Sequence, residues 1–315
     1  MALYPDNRHY IMQKVTLTIL GCGSALPTRK NFPSAQLLEL RDKQFLIDCG
    51  EGTQIRMRQM GLRTNRLGHI FISHLHGDHC FGLIGLISSF GMLNRTADLH
   101  IHAQQDLEKI MEVQLQYFCT DMPFKVIFHA IDPRKHELIF EDRSVQVFSI
   151  PLKHRVPTCG FLFEEKPRDR HIIREMIDFY HIPTWRILKI KQGEDFITQD
   201  GEVVPNSQLT TASESPKRFA YCTDTAYSEK IIPIIEGVDC LYHEATFMEE
   251  EVLRSKETFH STARQAGEIA LKAKVKKLII GHYSARYNNQ DALLQEAKNV
   301  FENTVLGEDM TVYEI

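Results

Sequence analysis

Residues 73–79 read Ser-His-Leu-His-Gly-Asp-His, and no other stretch of this 315-residue chain restricts its fold so severely. His74, His76, Asp78 and His79 place four potential metal ligands within six residues, at i, i+2, i+4 and i+5. The preceding HIFIS (69–73) reads as a β-strand, and beyond His79 apolar residues recur at helical spacing. A strand passing into a helix through Gly77 aims His74 and His76 at one ion. It leaves Asp78 and His79, at the start of the helix, facing a second. Imidazole and carboxylate suit zinc, and three protein ligands with an open position suit a catalytic site. A lone histidine is most often an ordinary core or surface residue, but four ligand-type side chains around one glycine are not explained that way.

Three later residues extend the set. His154 follows SVQVFSIPL, Asp224 follows RFAYC inside Thr223-Asp224-Thr225, and His282 follows KLIIG. Each stands just past the carboxyl end of an expected strand, where α/β proteins place functional groups. Singly, Asp224 reads equally well as a helix cap and His154 as a surface residue between Lys153 and Arg155. Jointly they bring the candidate ligands to seven.

Short apolar runs alternate with helical stretches along the chain. Strands are expected at 15–20, 35–40, 44–48, 99–102, 124–130, 144–150, 159–163, 218–222, 239–242, 276–281 and 311–314. The pair at 35–48 is joined by a tight turn at Arg41-Asp42-Lys43. Helices are expected at 104–118, 262–273 and 290–302. This alternation implies an α/β layered architecture. Residues 1–13 are polar and aperiodic, an N-terminal extension with Met12 as a possible alternative start. No apolar run reaches the roughly 20 residues of a membrane span, and the first residues do not form a secretory signal. Seven scattered cysteines without a C-x-x-C pair read as reduced thiols of a cytoplasmic protein. With 37 Lys+Arg against 41 Asp+Glu, any basic surface must be local. One stretch, about 164–216, is polar, holds several Pro and Gly, and lacks a clear buried face. Between residues 166 and 191 it holds Lys166, Arg168, Arg170, Arg174, Arg186, Lys189 and Lys191 against Asp169, Glu175 and Asp178. That composition fits either a solvated insertion or an arm that touches a polyanion.

His74-Leu75-His76-Gly77-Asp78-His79 resembles the H-x-H-x-D-H signature of the metallo-β-lactamase superfamily, and His154, Asp224 and His282 follow in the order used there. The resemblance runs from about residue 14 to the end. It implies a four-layer αβ/βα sandwich with an inserted substrate-binding arm and two Zn2+ per chain. One zinc would be held by His74, His76 and His154, the other by Asp78, His79 and His282, with Asp224 bridging. The di-iron oxidoreductase branch usually carries Glu at the position of His76, so the resemblance favours zinc hydrolysis.

Fold alone does not select a substrate. Five local stretches, however, resemble the ribonuclease Z family, the endonucleases that trim precursor tRNA 3′ ends. They are the strand and turn 45–53 (FLIDCGEGT), the ligand motif, His243-Glu244-Ala245-Thr246, His260-Ser261-Thr262, and His282-Tyr283-Ser284-Ala285-Arg286-Tyr287. By that resemblance Asp78 is the proton acceptor beside the attacking hydroxide. His260, oriented by Glu244, stabilises a phosphate oxygen or protonates the leaving 3′ oxygen. Ser284 and Arg286 hold substrate phosphate, an ion pair being the alternative for Arg286. The inserted arm grips the tRNA, with Lys166, Arg168, Arg170, Lys189 and Lys191 as contacts, in a homodimer. Two departures are visible. The arm lacks the family's Gly-Pro pair, and Pro27-Thr28-Arg29-Lys30-Asn31 is a shortened form of its P-x-K-x-R-N loop. A small-molecule phosphodiesterase or other hydrolase of the superfamily is the alternative reading, and a catalytically silent RNA-binding protein a third.

Overall fold

The structure of the chain, a computed structural model, describes residues 14–315; the extension expected at 1–13 lies outside the described residues. Two seven-stranded sheets carry the main unit. The first runs, edge to edge, Thr311–Glu314, Thr16–Gly21, Ala35–Leu40, Lys43–Ile47, Leu67–Phe71, Leu99–Ala103, Val126–Ala130. The second runs Thr304–Leu306, Leu278–Gly281, Cys240–Glu244, Arg218–Cys222, Cys159–Glu165, Val145–Pro151, Leu138–Glu141. In each, four consecutive strands are parallel and the rest antiparallel.

Both faces of the first sheet are covered, which its near-continuous apolar strands require. In Ala35–Leu40, Leu38 and Leu40 join the core shared with the second sheet, whereas Leu37 turns to the opposite cluster. That opposite cluster holds Leu83, Leu86, Ile87 and Phe90 of helix Leu83–Met92 and Leu107 and Met111 of helix Asp106–Phe118. Between the sheets Phe45, Phe71, Phe161, Phe163 and Phe219 pack, with Phe45 and Phe163 centroids 5.5 Å apart. Helix Ala263–Lys272 closes the far face of the second sheet with Ala263, Ala266, Ile269 and Ala270. The result is helix, sheet, sheet, helix. Several histidines outside residues 73–79 continue the packed layer. His69 stacks on His100 at 4.9 Å, and His102 lies between Phe71 at 4.4 Å and His129 at 4.5 Å.

The expected turn at 41–43 is a two-residue hairpin with Arg41 (φ 54°) and Asp42 (φ 64°) both left-handed, the backbone that matches strand twist. Elements with little periodicity escape the sequence reading: helices Thr53–Gln59 and Val252–Thr258 and edge strands Leu138–Glu141 and Thr304–Leu306.

Residues 165–216, with 142–144, form a second compact unit. Here the structure corrects the sequence reading in two ways. The segment does have a buried face: Ile182, Ile190, Phe196, Val204 and Leu209 make a small core. Asn206 secures it, donating from its side-chain amide to the carbonyls of Ile190 (2.6 Å) and Glu194 (2.8 Å). The pieces are two to eight residues long, too short to display a period. Nor is the unit basic as a whole. Within 165–216, seven Lys/Arg meet nine acids: Glu165, Asp169, Glu175, Asp178, Glu194, Asp195, Asp200, Glu202 and Glu214. Arg168 pairs with Glu165 at 3.4 Å and Arg186 with Glu194 at 3.6 Å.

Helix Ala263–Lys272 begins with a capping box in which the Thr262 hydroxyl accepts from Gln265 N, and the Gln265 side chain accepts from Thr262 N. Thr262→Ala removes that acceptor and lowers stability by about 1 kcal/mol. A urea melt showing an unchanged midpoint would refute this account of the cap.

Candidate metal centre

The carboxyl ends of the parallel strands of both sheets converge at one edge. Asp48 follows Lys43–Ile47, residues 73–79 follow Leu67–Phe71, Asp224 follows Arg218–Cys222, and His282 follows Leu278–Gly281. Asp48 (φ 56°), Asp224 (φ 51°) and His282 (φ 60°) all adopt the left-handed region, costly for non-glycine residues and concentrated at functional sites. The loop 48–52 lies against residues 76–82 so closely that a Cβ on Gly50 would meet Asp78 O at 2.5 Å, and one on Gly82 would meet Gly50 O at 2.1 Å. Cys49 N donates to His79 O at 2.8 Å, and Gly82 N to Cys49 O at 2.9 Å. Across the sheets, Tyr283 N donates to Cys22 O at 3.0 Å and Cys159 N to Ser73 O at 3.2 Å.

The seven candidate ligands meet around Asp224, which is 2% exposed. Its Oδ2 is 3.5 Å from His74 Nε2 and 3.7 Å from His154 Nε2; its Oδ1 is 3.2 Å from His79 Nε2 and 3.1 Å from His282 Nε2. His76 Nδ1 lies 2.9 Å from His74 Nε2, and Asp78 Oδ2 lies 3.5 Å from His79 Nε2 and 3.8 Å from His282 Nε2. The donors therefore fall into two groups sharing one carboxylate: His74, His76 and His154 with Asp224, and Asp78, His79 and His282. A tetrahedral ion with ligands at about 2.1 Å has ligand-to-ligand edges of roughly 3.4 Å, the spacing seen here.

Hydrogen-bond accounting explains why the imidazoles face inward. The Ser73 hydroxyl donates to Asp48 Oδ2 (3.0 Å), so it accepts from His74 Nδ1–H (3.0 Å). His79 Nδ1–H donates to Asp48 Oδ2 at 2.7 Å, and His154 Nδ1–H to the Phe259 carbonyl at 3.0 Å. The Thr246 hydroxyl donates to Glu244 Oε2 and so accepts from His282 Nδ1–H at 3.0 Å. Four rings thus donate Nδ1–H to an outer acceptor and aim Nε2 inward, the orientation a metal ligand needs. The buried Nε2 atoms of His79, His154 and His282 have no hydrogen-bond partner. The electrostatics also favour a cation. Burial opposes charge on His79, yet Asp224, Asp48 and Asp78 lift its pKa well above the ordinary value. Burial likewise works against ionised Asp224, but His282, His79 and His74 hold it far below the ordinary carboxylate range. The donor set and its geometry fit a metal centre.

Beside it, Glu244 is fully buried and accepts from Thr225 N, Thr246 Oγ1, Ser261 N and His260 Nδ1, the last at 3.0 Å. Burial opposes protonation of His260, but Glu244 raises its pKa to about 9. The His260 ring lies 5.1 Å from that of His154 and 5.3 Å from that of His282. Ser284 is half-buried near the last ligand. Arg286 is 2.8 Å from Glu251 and lies over Phe247, so the ion-pair alternative is the arrangement present. Lys166, Arg168, Arg170, Lys189 and Lys191 belong to the second unit; Arg170 donates to Thr210 Oγ1 at 2.6 Å. Sequence reasoning gave no role to Asp48, which accepts from Ser73 N, Ser73 Oγ, His79 Nδ1 and Tyr221 OH. The available signal was an acidic residue closing the apolar run FLI.

Two family models match consecutive parts of the chain. One, described as Anti-Pycsar protein Apyc1, covers residues 15–173; the other, described as a beta-lactamase superfamily domain, covers residues 191–283. The chain is 57% identical over 298 residues to a ribonuclease Z of Parabacteroides distasonis, covering 95% of this chain and 98% of that protein. It is 47% identical over 304 residues to the ribonuclease Z of Azobacteroides pseudotrichonymphae, covering 96% and 100%. Among solved structures, the short form of human tRNase Z superposes with a TM-score of 0.69 at 23% identity, over 95% of this chain and 99% of that one. The metallo-beta-lactamase fold protein YhfI of Bacillus subtilis gives 0.65 at 20%, over 96% and 100%. At these identities the structural likenesses establish the fold, a metallo-β-lactamase sandwich.

Asp48→Asn replaces the acceptor that orients His79 and Ser73. It is expected to weaken metal affinity by about 10- to 100-fold in a chelator-competition titration; unaltered affinity would mean that Asp48 does not position the ligands.

Proposed function

The chain belongs to the ribonuclease Z family of endoribonucleases in the metallo-β-lactamase superfamily, and on that basis we propose that it removes the 3′ trailer from precursor tRNA. Water adds across one phosphodiester, leaving a 3′-hydroxyl on the tRNA and a 5′-phosphate on the trailer. The observation that carries the reading is the division of inward-facing nitrogens between the two oxygens of Asp224. Two zinc ions per chain fit that division, with His74, His76 and His154 holding one, Asp78, His79 and His282 the other, and Asp224 shared. Zinc bound there supplies Lewis acidity toward the phosphoryl oxygens and an acidified water as nucleophile.

The chain's own groups carry the protons. Burial opposes ionisation of Asp78, but His79 and His282 keep it ionised at neutral pH, and Ala25 N fixes its Oδ2 at 2.8 Å. It takes the proton released by the attacking water. His260, charged and held by Glu244 through Nδ1, donates from Nε2 to the departing 3′ oxygen. The cut requires both transfers, one on each side of the phosphorus.

Several further points belong to the same reading. The unit 165–216 contacts the tRNA, and its exposed Trp185 and Phe179 offer stacking surfaces in the same unit as Lys189 and Lys191. The protein acts in the cytoplasm as a homodimer. No helix among the described residues is long and apolar enough to cross a membrane. A sedimentation run giving only monomer at micromolar concentration would remove the dimer.

The decisive experiment incubates the protein with an end-labelled, 3′-extended precursor tRNA and maps the product ends. A single cut at the acceptor end is expected, abolished by a chelator, restored by zinc, and lost in Asp78→Ala. Protein holding two zincs that leaves the precursor intact would hand the reading to a small-molecule phosphodiesterase. His260→Ala is expected to lower kcat by about 10²- to 10⁴-fold; a kcat within a few-fold of wild type would remove it as the acid. Replacing 165–216 by a short linker is expected to abolish precursor cleavage while bis-p-nitrophenyl phosphate is still hydrolysed. Equal loss of both activities would sink the unit's role in binding.

A further inference from the structure

A groove of about 850 Å³ opens beside His154. Residues 133–134, 151–158, 227–228, 230 and 234 line it, all within the main unit; Glu229, paired with Lys272, and Asp132, which accepts from Arg134 N at 3.1 Å, flank it outside that lining. It holds four cations, Arg134, Lys153, Arg155 and Lys230, and not one acidic side chain, in a chain whose formal charge is −4. All four are exposed. Other surface cations nearby are compensated: Lys135 pairs with Asp132 at 3.2 Å and Lys272 with Glu229 at 2.5 Å. Among the described residues Arg134, Lys153 and Lys230 have no ion-pair partner, and Arg155 reaches only the Glu257 carbonyl at 3.4 Å. Lys153 is pinned at the mouth of the centre, its N donating to Thr225 Oγ1 (3.1 Å) and its carbonyl accepting from Ala226 N (2.8 Å). His154, the next residue, turns its Nε2 toward Asp224. The groove therefore begins at the candidate metal centre.

We propose that this groove binds the backbone of the single-stranded trailer downstream of the scissile phosphodiester, with Arg134, Lys153, Arg155 and Lys230 contacting successive phosphates. The inference rests on the ribonuclease reading above. Unpaired cations lining a concave path are the signature of a strand held by its backbone, and phosphate contacts position RNA without reading its sequence. The polarity follows from the substrate. Upstream of the cut, a precursor tRNA offers at most a few unpaired nucleotides before the acceptor helix, whether the cut falls at the discriminator or after an encoded CCA; downstream it offers an unpaired strand of any length. Only the downstream strand can occupy such a groove.

The test compares wild type with Arg134→Gln/Lys230→Gln, two positions remote in sequence from any candidate ligand. The substrates are precursors with a one-nucleotide trailer and with a trailer of about ten nucleotides. For the double variant, KM for the long trailer is expected to rise on the order of tenfold while KM for the short one changes little. The salt slope of log(1/KM) on the long trailer is expected to become shallower by about 1.4, near 0.7 for each lost phosphate contact. Equal KM changes on both substrates, or none on either, would overturn the groove. A wild-type protein that cuts neither precursor would overturn the ribonuclease reading and the groove with it, whereas normal wild-type cleavage with an indifferent double variant removes the groove alone.

Discussion

The buried carboxylate of Asp224 is the constraint around which the site is arranged. A carboxylate removed from water is tolerable only among partners that offset its charge, and here four imidazole nitrogens divide between its two oxygens. Those imidazoles arrive from three different loops. To meet at one carboxylate, the loops must leave their strands at the same edge of the sandwich. The parallel halves of the two sheets provide that edge for residues 73–79, Asp224 and His282, while His154 follows Val145–Pro151 in the antiparallel part of the second sheet; left-handed backbone at Asp224 and His282 turns the chain sharply at the site.

Two further carboxylates fix the surroundings. Asp48, fully buried, holds His79 directly and His74 through the Ser73 hydroxyl. Glu244 holds His260 directly and His282 through the Thr246 hydroxyl. Each reaches two functional side chains, and each fixes the ring orientation by accepting, directly or through a hydroxyl, from Nδ1–H. Glu244 also binds Thr225 N, one residue past Asp224. It thereby ties the loop of Asp224 to the His260 ring.

Charge on the substrate side is distributed locally. The inserted unit, basic between 166 and 191, carries enough acid elsewhere to neutralise part of that excess through pairs such as Arg168 with Glu165 and Arg186 with Glu194. The groove beside His154 keeps its cations free. A polyanion is drawn to unpaired charge in a concave path more strongly than to charge already compensated, so counts over a sequence window are a poor guide to where uncompensated positive charge lies.

The sequence by itself determined the alternation of strands and helices, the tight turn at 41–42, and the concentration of ligand-type residues at 74–79, because these features depend on neighbours within a few positions. It also carried His154, Asp224 and His282, since each follows an apolar run that ends where a strand must end. Only the tertiary structure decided what orients them. Asp48 meets Tyr221 across 173 residues, and His154 meets the Phe259 carbonyl across 105. A backbone carbonyl has no letter of its own in a sequence, and an aspartate at a strand end looks the same whether it faces water or a histidine. The core of residues 165–216 was hidden for a related reason. Ile182, Ile190, Phe196, Val204 and Leu209 come together from turns too short to show a period, so their burial exists only once the chain has closed on itself.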